Sequence, residues 1–533
     1  MRPIFSNMLR PLPEISCLPM PTTTKRDLPT LNDLLPAVAG ARLVRGDPGR
    51  QVTGVSHDTR HLQPGELFVA IPGFRQNGLD HLPEALARGA SAVVAEVLPS
   101  LADEVPIVLV PSARAALGDL AAAFHGYPSR RLNVVGVTGT DGKTTTAQLL
   151  SAILEAHGLR TGWLSTVNTK IHDRIRPNAS DHTTPEAPVL QQAFVEMAEA
   201  DVDVAILETS SHALALGRVR GTTFKVGVFT NLSAEHINFH GTLEAYRVAK
   251  SRLFGLLAED GLAVVNADDA SGGFMRGATR APIMTYAIDS PADVRATDIV
   301  VSSEETTFKA HLPPTPTSGA TILDLRTRLV GRFNVANWLG AYCAATYFGA
   351  TPADLVRAVE RQPPILGRMN LIQQGQPFLV VVDFAHTPRA LEHALDTVRR
   401  LVPGRLLLLF GLPGGRDFRN RWAMGRLAAE QTDFFVITMD DPYDDDPSEI
   451  AGHIAEGARG AGAIEGPSFK VDLDRRSALR TVLGRASAGD VILLAGHGHL
   501  DKLVIGPRKL PWNDADVVAE ELRAMGYGRV GSG

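Results

Sequence analysis

Cysteine is almost absent: Cys17 and Cys343 are the only two in 533 residues. Two thiols cannot build a disulfide framework or a thiolate metal cage, so a reducing compartment, the cytoplasm, is the expected location. Blocks of basic residues are also lacking. With 53 Lys+Arg against 58 Asp+Glu the formal charge is −5, and no segment has the cation density that tracks a phosphate backbone, which argues against a nucleic-acid partner. Nowhere do about 18 apolar residues run together, so membrane insertion is not expected either. No internal repeat is present.

What is there is ordinary globular texture, 44% apolar and 21% charged. A chain several times longer than a usual domain of roughly 100–200 residues should hold three or more of them. Met1–Thr30 contains six prolines and no continuous apolar run, and residues 1–27 read as a disordered leader. From 28 to 131 short strands such as Gly65–Ile71 and an Ala-rich helix over Ser112–Phe124 predict a small α/β domain. From 132 to 360 the apolar runs Val134–Val137, Val202–Leu207, Lys225–Phe229 and Leu262–Val265 alternate with helical patterns. That predicts a mostly parallel sheet covered on both faces. A Pro/Thr/Ser-rich piece, Pro313–Gly319, precedes a helix over Gly331–Phe348. The span 361–533, with strands at Phe378–Val382, Leu406–Phe410, Phe434–Thr438 and Val491–Leu494, reads as a second, doubly wound α/β unit.

The most informative segment is Val134-Val-Gly-Val-Thr-Gly-Thr-Asp-Gly-Lys-Thr-Thr-Thr146, a strand entering a Gly-rich turn and then a helix. Gly139 and Gly142 let backbone N–H groups face an anion, the helix N-terminus adds partial positive charge, Lys143 reaches phosphate, and Thr144 suits Mg²⁺. The spacing from Gly136 to Gly142 is one residue longer than the simple P-loop pattern. Strand before and helix after nevertheless favour a nucleoside triphosphate site over a chance turn. Metal ligands for such a site come from loops at the carboxyl ends of neighbouring strands. Two strands end in Glu208-Thr-Ser-Ser-His212 and in Thr230-Asn-Leu-Ser-Ala-Glu-His236, so Glu208 and His236 are candidate ligands.

These motifs, with His240-Gly-Thr242 and Ala249-Lys-Ser-Arg-Leu-Phe254, resemble those of the Mur ligases, and within them the MurE type. The resemblance extends upstream through Asp58-Thr-Arg60 and Pro64–Phe68, and downstream through Gly331–Val335, Gly367-Arg-Met369, Asp383–Pro388 and Gly496–His499. It implies an N-terminal UDP-binding domain, a central P-loop domain, a C-terminal doubly wound domain, and a monomer. The implied reaction is ATP-dependent amide ligation on UDP-N-acetylmuramoyl-L-alanyl-D-glutamate in peptidoglycan precursor synthesis, through an acyl phosphate and with release of ADP and phosphate.

Residue roles follow from the same resemblance. Catalysis falls to Lys143, Glu208, His236 and Lys250, with Mg²⁺ held by Thr144, Glu208, His236 and a carbamylated Lys250. Without that motif Lys250 would read as a helix-surface lysine. ATP would meet Gly139, Thr140, Asp141, Gly142, Lys143, Thr144 and Thr145 in the loop, and Asn334, Arg368, Asp383 and His386 across a domain junction. Thr59, Thr183, Thr184, Ser210 and Arg218 would hold the UDP-linked substrate, whereas Leu216 stands where some members carry glutamine.

The amino-acid site would comprise Arg421, Asp440, Asp441, Tyr443 and Gly496. Members that add meso-diaminopimelate read its second carboxylate with Asp-Asn-Pro-Arg and with a Glu closing Gly-Lys-Gly-His-Glu. Here the segments are Asp440-Asp-Pro-Tyr443 and Gly496-His-Gly-His-Leu500. The expected substrate is therefore L-lysine or L-ornithine, whose distal ammonium suits the acidic run Asp440, Asp441, Asp444, Asp445 and Asp446. Part of that run is expected to be a solvated loop. The rivals are the same reaction with meso-diaminopimelate, another Mur-type ligase such as a folylpolyglutamate or cyanophycin synthetase, and a nucleotide-binding interaction protein without ligase chemistry.

Overall fold

A computed structural model describes residues 28–73, 76–100, 105–178, 180, 182–314, 319–415 and 418–528. The expected leader at 1–27, residues 315–318 of the Pro/Thr/Ser-rich piece, and Arg416 and Asp417 lie outside the described residues.

Among the described residues there are three large sheets and a two-stranded one, Lys502–Ile505 with Arg508–Pro511. The first has five strands in the order Arg42–Arg45, Ile107–Leu109, Ala92–Ala95, Leu67–Val69, Val55–Ser56, and all but its first pair are parallel. The strand expected over Gly65–Ile71 is the shorter Leu67–Val69. The Ala-rich helix runs Ala113–Phe124, capped by the Ser112 hydroxyl, which accepts from the Ala115 N–H at 3.3 Å.

The second sheet has eleven strands, and its centre is Leu257–Asn266, Phe224–Phe229, Asn133–Thr138, Val204–Glu208, Thr161–Leu164, all parallel. Successive residues of a strand point to opposite faces. Val135 and Val137 accordingly enter one core with Ile206 and Trp338, while Val134 enters the other with Leu207 and Phe194. Burial on both faces explains why these strands read as unbroken apolar runs. The edges depart from the expected parallel sheet. Val294–Val301, Thr306–Leu312 and Thr321–Thr327 are antiparallel on one side, as are Thr161–Leu164, Asn168–Ile171 and Arg174–Pro177 on the other. Connections this short can join only antiparallel neighbours.

The third sheet has six strands, Asn370–Leu371, Leu379–Asp383, Val491–Ala495, Leu406–Phe410, Phe434–Ile437, Phe469–Val471, parallel after its first pair. Late in sequence, Val491–Ala495 inserts between earlier strands. Asp383 and Gly496 thereby stand at the carboxyl ends of adjacent strands, and Asp440 follows the strand two places further along, on the edge where open α/β sheets bind ligands. Among the described residues no helix is long and apolar enough to cross a membrane.

Candidate functional site

The strand Asn133–Thr138 delivers the loop 139–142 to the helix Lys143–Ala156. Gly142 starts that helix at φ +81°, and a Cβ there would lie 2.5 Å from Asn337 Oδ1, so both conformation and space call for glycine. The loop is held from outside by the neighbouring strand end. Asn231 accepts the Thr140 N–H at 2.9 Å through its carbonyl and the Asp141 N–H at 3.0 Å through Oδ1. The Thr230 hydroxyl donates to the Asp141 carbonyl at 2.6 Å.

Two lysines converge on this loop. Lys143 Nζ donates to the carbonyls of Gly139 at 3.0 Å and Thr140 at 2.7 Å, and Lys250 Nζ donates to Gly139 at 2.6 Å. Lys250 is 1% exposed and lies 4.4 Å from the centre of the Tyr246 ring. Burial, reinforced by the Lys143 charge, pushes its pKa well below the usual lysine value. Asp141 is pushed up by burial and then by the Glu235 carboxylate. His236 adopts φ +56° with its ring 4.6 Å from that of His212 and its Nε2 3.6 Å from Glu235 Oε1.

Glu208 belongs to a second cluster. Fully buried, it accepts the Thr166 N–H at 3.2 Å and the Thr166 hydroxyl at 3.0 Å. Among the described residues no cationic side chain comes within ion-pair distance of it. Thr166 lies 3.1 Å from the Thr183 hydroxyl, and the Thr184 hydroxyl donates to the Glu208 carbonyl at 2.7 Å. Ser210 caps the short helix Ser211–Ala215 and places its hydroxyl 3.2 Å from that of Thr184. Arg218 donates to the Thr184 carbonyl at 3.0 Å and pairs with Glu186 at 2.7 Å, leaving its buried Nε without a partner. Glu208, Thr183, Thr184, Ser210 and Arg218 are thus neighbours.

Thr59 lies apart from them in the N-terminal unit, where its hydroxyl donates to Glu84 at 2.7 Å. Two residues earlier, His57, which the sequence did not single out, feels the charges of Glu186 and Arg218. Burial lowers its pKa and the Glu186 charge opposes that.

A cleft of about 520 Å³ opens between the central and C-terminal units, lined by Asp141, Gly142 and Thr145 on one side and Arg368, Asp383 and His386 on the other. Arg368 donates across it to the Thr144 hydroxyl at 3.3 Å, and Asp383 accepts the Met369 N–H at 2.8 Å. His386 Nε2 is 3.4 Å from Glu235. Asn334 does not line the cleft. It is fully buried in the helix Arg332–Thr346, donates to the Val330 carbonyl at 2.9 Å, and leaves the lining position to Asn337 one turn later.

The proposed amino-acid residues divide into two groups. Arg421 is 5% exposed, pairs with Asp445 at 2.7 Å, has a buried Nε without a partner among the described residues, and lines a second, open cavity of about 640 Å³. Asp440, Asp441 and His497 form a buried triad, with His497 Nδ1 2.8 Å from Asp440 Oδ1. Gly496 adjoins it, since a Cβ there would sit 2.9 Å from Asp440 Oδ2.

Asp441 accepts the Val504 N–H at 2.8 Å, and burial followed by the Asp440 charge pushes its pKa up to about 6. Asp440 is opposed by burial but held below the usual range by the His497 hydrogen bond. Tyr443 does not join either group. It is 48% exposed at φ +51°, and its backbone pairs with Val504 and Gly506. Asp446 caps the helix Pro447–Gly460 by accepting the Ser448 N–H at 2.8 Å, so that member of the acidic run is structural.

Three family models cover the chain: "Mur ligase family, catalytic domain" at residues 51–125, "Mur ligase middle domain" at 137–345, and "Mur ligase, glutamate ligase domain" at 367–498. A UDP-N-acetylmuramyl-tripeptide synthetase of Roseiflexus sp. (strain RS-1) is 42% identical over 496 residues, 90% of this chain and 96% of the relative. The UDP-N-acetylmuramoyl-L-alanyl-D-glutamate–2,6-diaminopimelate ligase of Geobacillus thermodenitrificans (strain NG80-2) is 38% identical over 493 residues, 91% and 98% of the two chains. A solved structure of a ligase of that second name superposes with a TM-score of 0.63 at 30% identity, covering 94% of this chain and 100% of the other. MurF from Acinetobacter baumannii, at 21% identity and TM-score 0.62 over 88% and 95% of the chains, shares the fold.

Proposed function

The chain belongs to the Mur ligase family of ATP-dependent, amide-forming ligases of peptidoglycan precursors, and on that footing we propose that it joins L-lysine or L-ornithine to the D-glutamyl carboxylate of UDP-N-acetylmuramoyl-L-alanyl-D-glutamate. The observation that carries the choice of amino acid is the buried cluster behind Gly496. It holds three carboxylates, Asp440, Asp441 and Asp514, against one guanidinium, Arg475, and one imidazole, His497. Arg475 is committed to Asp514 at 2.6 Å and His497 to Asp440. Asp441 is left as surplus negative charge, which favours a ligand ammonium and disfavours a second carboxylate.

A free carboxylate is a poor acylating agent because its leaving group would be oxide. Transfer of the γ-phosphoryl group of ATP to it creates an acyl phosphate, and attack by the amine then expels phosphate. Lys143 and the loop N–H groups neutralise charge on the phosphoryl in transfer, and Lys143 can exchange its two loop carbonyls for phosphate oxygens. Thr144, Glu208 and His236 would hold Mg²⁺. The fit rests on Glu208, a wholly buried carboxylate without a cationic partner among the described residues. When bound there, Mg²⁺ supplies charge neutralisation at the phosphate oxygens. Lys250 would carry a carbamate: its amine, once deprotonated, would add CO₂ and lose one further proton, turning a donor into an anionic oxygen ligand.

A second reading, addition of meso-diaminopimelate, is favoured by the name of the Geobacillus relative. The test is kcat/KM for L-ornithine, L-lysine and meso-diaminopimelate side by side. A second carboxylate left without its partner costs ~1–3 kcal/mol, so about tenfold to hundredfold discrimination against meso-diaminopimelate is expected. Because Asp441 must be ionised to attract an ammonium and titrates at about 6, the preference is present above that pH and lost as pH falls through it. Should meso-diaminopimelate be preferred, the reading of Asp441 and Tyr443 fails while family membership stands.

A further inference from the structure

The helix Pro388–Arg399 of the C-terminal unit carries an arginine, Arg389, in its first turn. A cation there opposes the helix dipole. What offsets it lies across the domain boundary. Arg389 donates to Asp269 Oδ2 at 3.3 Å and to the Leu232 carbonyl at 3.3 Å, both in the central unit. Asp269 is 7% exposed and is itself fixed by the N–H groups of Leu232 and Ser271, each at 2.9 Å. Leu232 follows Asn231, the residue that holds the Thr140 and Asp141 N–H groups of the phosphate loop. A chain of contacts therefore runs from the C-terminal unit through hydrogen bonds among Arg389, Asp269 and Leu232, then along the backbone to Asn231 and by its hydrogen bonds to the glycine-rich loop.

We propose that Arg389 is a positioning residue that clamps the C-terminal unit onto the support of the phosphate loop and thereby ties phosphate release to amide formation. The proposal rests on the acyl-phosphate reading above. An acyl phosphate formed while the units stand apart meets water, which returns the carboxylate and releases phosphate without an amide. Other contacts across the same boundary, Arg368 to Thr144 and His386 to Glu235, involve residues assigned to the nucleotide. Arg389 also lines that cleft, but its guanidinium bonds Asp269 and the Leu232 carbonyl rather than the residues assigned to the nucleotide, so loss of the pair should loosen the fit of the units.

The experiment measures phosphate and tripeptide together in single reactions containing ATP, Mg²⁺, UDP-N-acetylmuramoyl-L-alanyl-D-glutamate and either L-lysine or L-ornithine. The parent enzyme should produce the two in step. Arg389→Ala and Asp269→Asn should each raise the ratio of phosphate to amide by about threefold to tenfold, as expected for one partly exposed charge-assisted hydrogen bond. The double variant should be no worse than the poorer single one, and Arg389→Lys should restore much of the coupling. General destabilisation would lower both products at an unchanged ratio, which overturns the proposal. A large rise in KM for ATP with coupling intact also overturns it, because Arg389 would then be a nucleotide contact. If the parent enzyme itself releases phosphate without amide for every amino acid offered, the functional reading fails and the inference with it.

Discussion

Lys250 is a buried lysine beside the glycine-rich loop, donating to the Gly139 carbonyl. A lysine in water has a pKa of about 10.4 and would enter a phosphate site as a cation. Here the side chain is 1% exposed, and burial together with Lys143 displaces its pKa well downward. In the proposed reading a carbamate on Lys250 would supply charge of the sign that a divalent ion needs. Lys250→Ala is expected to lose on the order of 10²–10³ in kcat, the usual effect of removing one preorganised electrostatic group. Added formate or acetate should restore part of that by occupying the vacated space with a carboxylate. An alanine variant that turns over normally without added acid would remove Lys250 from the site.

At the level of elements, the ends of two helices decide how the proposed amino-acid side of the site is built. Arg475 opens the helix Arg475–Arg485, Asp514 opens Asp514–Ala524, and the two form a bidentate pair at 2.8 and 2.6 Å with both side chains 1% exposed. Arg475 also donates to the Met439 carbonyl at 3.1 Å, next to Asp440. Breaking a buried pair from one side strands the other charge, so Arg475→Ala is expected to cost about 3–5 kcal/mol in denaturant unfolding. The double replacement Arg475→Met with Asp514→Leu should recover most of that stability while weakening amino-acid binding, because the strand end carrying Asp440 loses its anchor. Equal stability of the single and double variants would contradict the buried-pair account.

For the whole molecule, the cleft of about 520 Å³ belongs to neither unit alone. Nucleotide binding should therefore stabilise both sides, by about 2.7 kcal/mol at a ligand concentration one hundred times Kd. Amide hydrogen exchange with ADP present should slow in the phosphate-loop helix Lys143–Ala156 and equally in the C-terminal helix Pro388–Arg399. Slowing confined to the central unit would mean that the C-terminal lining does not meet the nucleotide. The proposed clamp at Arg389 and the cleft would then be two aspects of one geometry, in which closure brings the acyl phosphate and the incoming amine together.

Much of this was legible in the sequence because it is local or strictly periodic. Apolar runs buried on both faces announced the parallel strands at the centres of the larger sheets, and Gly142 followed by Lys143 and Thr144 announced the turn and helix start after Asn133–Thr138, since turn geometry and helix start are properties of a few adjacent residues. Pairings across distance were not. Thr166 meets Glu208 over a separation of 42 residues, Asp440 meets His497 over 57, and Asp269 meets Arg389 over 120. Which strand lies beside which, and how closely two units approach, decides such partners, and no local preference encodes that. Asn334 and Asn337 mark the boundary between the two kinds of information. Helical periodicity alone identifies both as lying on one helix, but only the packing of that helix against the sheet buries the first and turns the second toward the cleft.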